Sequence, residues 1–92
     1  MSEDKTEQVI FSGNVQGVGF RYTVRSIAKR HPVKGYVKNL PDGTVQLVVQ
    51  GHPSALNALL REVVERFQSN VVGCERRDLE AAEGFTCFEI RF

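Results

Sequence analysis

Glycines and an arginine fall close together in the run Gly13-Asn14-Val15-Gln16-Gly17-Val18-Gly19-Phe20-Arg21. An apolar, β-prone segment precedes it and a helical pattern follows, so the run occupies a strand–loop–helix junction. Those residue types in that order make an anion site. Glycines let backbone N–H groups converge on a ligand, a helix N-terminus adds partial positive charge, and a guanidinium offers a bidentate fork. The anion these parts suit is a phosphoryl group.

Two nucleotide motifs are excluded. A P-loop needs Gly-Lys-Ser/Thr, and here Gly17 is followed by Val18-Gly19-Phe20. A dinucleotide fingerprint needs a third glycine, and Gly17-Val18-Gly19 is followed by Phe20-Arg21-Tyr22. The loop therefore suits one small anion. Arg21 falls at the start of the helix, where a cation opposes the helix dipole by about 0.3–1 kcal/mol, a small cost that points to a ligand. A second stretch, Gly35-Tyr36-Val37-Lys38-Asn39-Leu40-Pro41-Asp42-Gly43-Thr44-Val45, places Asn39 at the end of a strand. Read alone, Asn39 is a turn-forming asparagine.

The elements that must position these residues follow from periodicity and breakers. Val9–Gly13 reads as a strand. Phe20, Val24, Ile27, Ala28 and His31 recur at helical spacing, and Pro32 ends that helix. Val33–Asn39 and Thr44–Gln50 are strands joined by the turn Leu40-Pro41-Asp42-Gly43, where proline presets one dihedral and glycine accepts a positive φ. A second helix starts near Ala55 and buries Leu56, Leu59, Leu60, Val63 and Phe67. Residues 70–79 read as a further strand and 80–84 as a loop. The alternation of Phe88, Ile90 and Phe92 with polar neighbours predicts a last strand with one buried face. The order β-α-β-β-α-β plus a short C-terminal strand implies an α+β, two-layer, ferredoxin-like sandwich with an antiparallel sheet.

Composition sets the bounds. A chain of 92 residues makes one domain, expected over residues 8–92 behind a frayed tail of residues 1–7. With 12 Lys+Arg against 11 Asp+Glu, the net charge of +1 gives no general affinity for nucleic acid or membranes, so any preference for phosphate must be local. No stretch is long enough to span a bilayer, and the polar N-terminus lacks the apolar centre of a signal peptide, so a cytoplasmic protein is expected. Cys74, Cys87, His31 and His52 lack metal-ligand spacing, and two cysteines are too few for a disulfide scaffold. The apolar stripes are accounted for by one core, which predicts a monomer.

The two stretches together resemble the signatures of the acylphosphatase family. The run Gly13–Arg21 is similar to the first. Gly35-Tyr36-Val37-Lys38-Asn39, with Gly43, Val45 and Gly51 following, is similar to the second. The likeness extends over residues 8–92, with only the link His31-Pro32-Val33 departing from the turn relatives often carry there. The resemblance implies hydrolysis of the carboxyl–phosphate bond of acyl phosphates, with no metal or cofactor. It assigns phosphate binding to Arg21 and water positioning to Asn39, and it places the backbone cradle on Val15, Gln16, Gly17, Val18, Gly19 and Phe20. The implied partners are a small acyl phosphate and inorganic phosphate or another small anion.

Three other readings share parts of the pattern. An RNA-binding module has the same element order, and Lys34-Gly35-Tyr36-Val37 echoes an RNP1 start, but on the second strand rather than the third and with Lys38 and Asn39 replacing the motif's later residues. A carbamoyl-phosphate-handling domain of a larger machine is the second, and nothing in this chain extends beyond one domain. A metallochaperone on this fold needs a Cys-x-x-Cys loop, which is absent.

Overall fold

Alternating polarity along three strands decides which side of the sheet the helices cover. The computed structural model describes residues 4–80 and 84–92. Its elements are β1 (Lys5–Gly13), α1 (Phe20–Ala28), β2 (Val33–Asn39), β3 (Val45–Gly51), α2 (Pro53–Arg66), β4 (Val71–Leu79) and β5 (Phe88–Arg91). The five strands form one sheet in the order β4-β1-β3-β2-β5. Cross-strand register aligns Phe11, Val45 and Asn39 in one row, and Val9, Leu47 and Val37 in the next. These rows face the helices, because successive strand residues alternate sides. Their apolar members are fully buried.

The helices close this face from one side. Phe20, Val24, Ile27 and Ala28 of α1 are buried, as are Leu56, Leu59, Leu60 and Val63 of α2. The Phe20 ring sits between Phe11 and Phe67, with centroids 5.2 Å and 4.6 Å away. Phe20 thus pins the start of α1 over the sheet end that carries Phe11 and Asn39. On the opposite sheet face, polar side chains bond across strands: Gln46 to Gln8 at 2.9 Å and Gln50 to Thr6 at 3.1 Å.

Three expectations are corrected. The sheet is mixed, because β5 pairs parallel with β2 while the other pairings are antiparallel. The expected tail stops short of Glu7: β1 begins at Lys5, and Glu7 is buried on the helix-covered face. What holds it is non-local. Arg76 Nε and Nη2 each donate to the Glu7 carboxylate at 2.8 Å, and Lys5 Nζ lies 3.3 Å away. Residues 1–3 of that tail, and 81–83 of the expected loop, lie outside the described residues. Finally, β5 is an edge strand ending at Arg91, so Phe92 lies beyond it and is exposed rather than buried.

Candidate active site

The loop between β1 and α1 is fixed at both ends and open in the middle. Val15 and Phe20 are buried in the core, whereas Gly17, Val18 and Gly19 are exposed. Asn14 N–H donates to the Asn70 carbonyl at 2.9 Å, and Asn70 Nδ2 returns a bond to the Asn14 carbonyl at 3.0 Å. Gly17 and Gly19 have φ of 75° and 76°, the left-handed region that other L-residues avoid. With Gly19 as N-cap, α1 has no side-chain cap and no acidic residue in its first turn. None of the backbone N–H groups of residues 15–20 donates to a carbonyl of the described residues. Unpaired amides on a loop that runs into a helix N-terminus favour an anion.

Asn39 enters from β2. Its place in the Phe11–Val45–Asn39 row puts it on the helix-covered face, at the end where α1 begins. Its Oδ1 is buried and accepts no hydrogen bond from the described residues. An acceptor buried without a partner costs about 1–3 kcal/mol, which marks a site where a ligand or water supplies the missing donor.

Loop and strand end meet in a cavity of about 180 Å³ lined by Val15, Gly17, Gly19, Phe20, Arg21, Tyr22 and Asn39. The structure thus brings together six residues named from the sequence: Val15, Gly17, Gly19, Phe20, Arg21 and Asn39. Gln16 and Val18 do not line the cavity. Val18 is exposed on the loop, and the Gln16 side chain turns away toward the β2–β3 turn. Tyr22 lines the cavity and was missed by sequence reasoning; its only signal was the position after Arg21. Arg21 forms no ion pair among the described residues, and its guanidinium lies 4.9 Å from the centre of the Phe92 ring.

The carboxylates and imidazoles of the described residues lie elsewhere. His31 precedes β2 and His52 follows β3, at the far ends of strands whose other ends carry Asn39 and Val45. Six strand steps separate that end from Asn39, about 20 Å at ~3.3 Å per residue. His31 pairs with Glu62 at 3.1 Å, and His52 Nδ1 accepts from the Ser54 N–H to cap α2. Among the described residues Glu7 is the buried carboxylate, and hydrogen bonds from Arg76 hold it below the usual carboxylate range. It sits four residues along β1 from Phe11, about 13 Å from the Asn39 row. Asp42 is held low by bonds from Thr44 Oγ1 at 2.6 Å and Thr44 N–H at 3.0 Å, which brace the turn after Asn39. A larger groove of about 580 Å³ runs between α1 and α2, but Glu62 in it is already engaged by Arg30 and His31. Among the described residues, no three His, Cys, Asp or Glu side chains cluster to hold a metal ion, and no helix is long and apolar enough to cross a membrane.

A family model described as acylphosphatase matches residues 7–90. An acylphosphatase of Archaeoglobus fulgidus is 41% identical over 86 residues, covering 92% of this chain and 96% of that protein. The crystal structure of acylphosphatase from Bacillus subtilis aligns with a TM-score of 0.86 at 34% identity, covering 95% of this chain and 98% of that one. Full-length HypF in its phosphate- and nucleotide-bound form aligns with a TM-score of 0.85 at 28% identity, over all of this chain but 12% of HypF. The fold, the glycine loop with Arg21, and a match over nearly the whole chain agree: this protein belongs to the acylphosphatase family, hydrolases whose activity is the cleavage of acyl phosphates.

Proposed function

We propose that the 180 Å³ cavity is where acyl phosphate is hydrolysed, with Arg21 and the amides of residues 15–20 holding the phosphoryl oxygens and Asn39 orienting the attacking water. The observation that carries this reading is the buried Oδ1 of Asn39, unpartnered among the described residues, which shares one cavity with Arg21 and the glycine loop. An acceptor there takes a hydrogen bond from water and aims its lone pair at phosphorus, opposite the departing carboxylate.

Neither Arg21 nor Asn39 is a general acid or base near neutrality. The substrate removes the need for an acid. Its leaving group is a carboxylate whose conjugate acid has a pKa of about 4, so it departs unprotonated. Positioning and charge stabilisation then supply the catalysis. The guanidinium and amides neutralise charge on the equatorial oxygens. The water's proton passes to a phosphoryl oxygen, since no carboxylate or imidazole of the described residues lines the cavity. The reaction needs no metal or cofactor.

The protein acts as a monomer that takes small acyl phosphates and releases inorganic phosphate, without nucleic acid or membrane. A cytoplasmic setting suits its two free, exposed thiols, Cys74 and Cys87. Residues 8–92 act as one catalytic domain, to which β1 adds Lys5–Glu7.

Turnover and phosphate inhibition, measured together, test these roles. Arg21→Gln loses both, because the guanidinium binds the phosphoryl group in the ground state and in the transition state. Asn39→Ala keeps competitive inhibition by phosphate and loses turnover. Normal turnover in Asn39→Ala removes Asn39 from the mechanism.

A further inference from the structure

Gln16 contributes to the loop in two separate ways. Its backbone belongs to the amide cradle, but its side chain leaves the cavity. Nε2 donates to the Leu40 carbonyl at 2.8 Å and to the Thr44 carbonyl at 2.9 Å. A primary amide has two N–H donors, and both are used. The acceptors lie 24 and 28 residues away. Leu40 follows Asn39 directly, and Thr44 precedes Val45, the cross-strand neighbour of Asn39. The Thr44 carbonyl also accepts from Leu40 N–H at 2.9 Å, the bond that closes the turn. Among the described residues, no other side-chain hydrogen bond joins the glycine loop to the β2–β3 hairpin. The loop's other hydrogen-bonded tie among the described residues, through Asn14 and Asn70, runs to the opposite side, toward β4.

We propose that Gln16 is a positioning residue that sets the separation between the phosphate cradle and Asn39. The inference rests on the roles proposed above for Arg21, the loop amides and Asn39. The cradle and Arg21 lie on the loop and α1, on one side of this amide staple. Asn39 lies on the other, anchored by the hairpin. Gln16 therefore acts on the one distance that neither half of the site fixes by itself: water at Asn39 to phosphorus in the loop. An error of about 1 Å in such a distance costs about 100-fold in rate, while the groups that bind phosphate stay together.

The consequence is a split between turnover and ground-state binding. Gln16→Leu keeps the side-chain bulk without the two donors. Gln16→Glu keeps the shape but turns a carboxylate toward two carbonyl oxygens. Both are expected to lower kcat for benzoyl phosphate by about 30–100-fold, with the competitive inhibition constant of inorganic phosphate changed less than about threefold. A double-mutant cycle with Asn39→Ala isolates the route. If Gln16 acts through Asn39, Gln16→Leu slows the Asn39→Ala protein no further.

Circular dichroism and thermal denaturation fix the folded fraction, so kcat is reported per folded molecule. Unchanged kcat in both variants, with only a lower Tm, overturns the inference by reducing Gln16 to a stabilising contact. So does a parallel loss of kcat and phosphate affinity, or a full multiplicative loss in the double variant. A folded wild type that fails to hydrolyse benzoyl phosphate overturns both this inference and the catalytic roles on which it rests. An active wild type with fully active Gln16 variants overturns the inference alone.

Discussion

Replacing Asn39 by alanine should separate stability from activity, with opposite consequences for the two. Burial of Oδ1 without a partner among the described residues carries a desolvation penalty of about 1–3 kcal/mol in the ligand-free protein. Alanine removes that penalty. It also removes the contacts of a short side chain at a half-buried strand end, a loss of about 1 kcal/mol, typical of point substitutions. The balance leaves stability unchanged or raised by up to about 2 kcal/mol. At about 4–8 °C per kcal/mol for a domain of this size, Tm should hold or rise. Turnover should fall about 100–1000-fold, the scale for deleting one aligned hydrogen-bonding group in a reacting site. Thermal denaturation followed by circular dichroism reads the first quantity, and benzoyl phosphate hydrolysis reads the second. A Tm drop of about 8 °C or more with activity retained would refute the reasoning, because it would show that Oδ1 has a structural partner and no catalytic one.

Other predictions follow from groups outside the cavity. The kcat/KM profile should be nearly flat from about pH 5 to 8, because no carboxylate or imidazole of the described residues lines the cavity and both histidines lie at the far end of the sheet; a steep inflection would reveal a base reaching the site. Arg76 holds the folded-state pKa of Glu7 below its unfolded value of about 4.3. A depressed pKa means stability fully present above the unfolded value and lost as pH falls through the folded one. Urea titrations from pH 6 down to pH 3 should show that loss, and Glu7→Gln should flatten it. Arg76→Ala should destabilise more than Glu7→Gln, by about 3 kcal/mol, because it leaves a buried carboxylate with Lys5 alone, whereas the partly exposed Arg76 rehydrates once freed. Gly19→Ala should fold, since its Cβ would meet nothing within 4 Å. It should still lose about 1–2 kcal/mol to left-handed strain, along with phosphate affinity, read by denaturation and inhibition assays.

The parts of this molecule that were legible in the sequence are those written locally. Pro32 and the Leu40–Gly43 turn bracket β2, and the strand spans Val33–Asn39 as read. The glycine loop and Arg21 announced themselves by residue type and spacing, Asn39 only through the family resemblance, and the structure places them around one cavity. What escaped depends on distant partners. Lys5-Thr6-Glu7 looks like a polar tail until Arg76, 69 positions away, supplies the charge that lets Glu7 be buried. The parallel pairing of β5 with β2 reflects the path of the chain after β4, on which alternation is silent. Alternation also put Phe92 on a buried face, but at a sheet edge the strand ended before it. Gln16 was read only for its backbone, because the carbonyls that engage its side chain come near it only once the hairpin has formed.

Hydrolysis of benzoyl phosphate by the wild-type protein in EDTA, with p-nitrophenyl phosphate run alongside, tests the cavity's proposed chemistry outright. The metal-free mechanism predicts rapid turnover of the acyl phosphate, undiminished by the chelator, and little turnover of the ester, whose poorer leaving group asks for an acid that the described cavity residues do not supply. A folded protein that leaves benzoyl phosphate intact, or that needs added metal to cleave it, would contradict it.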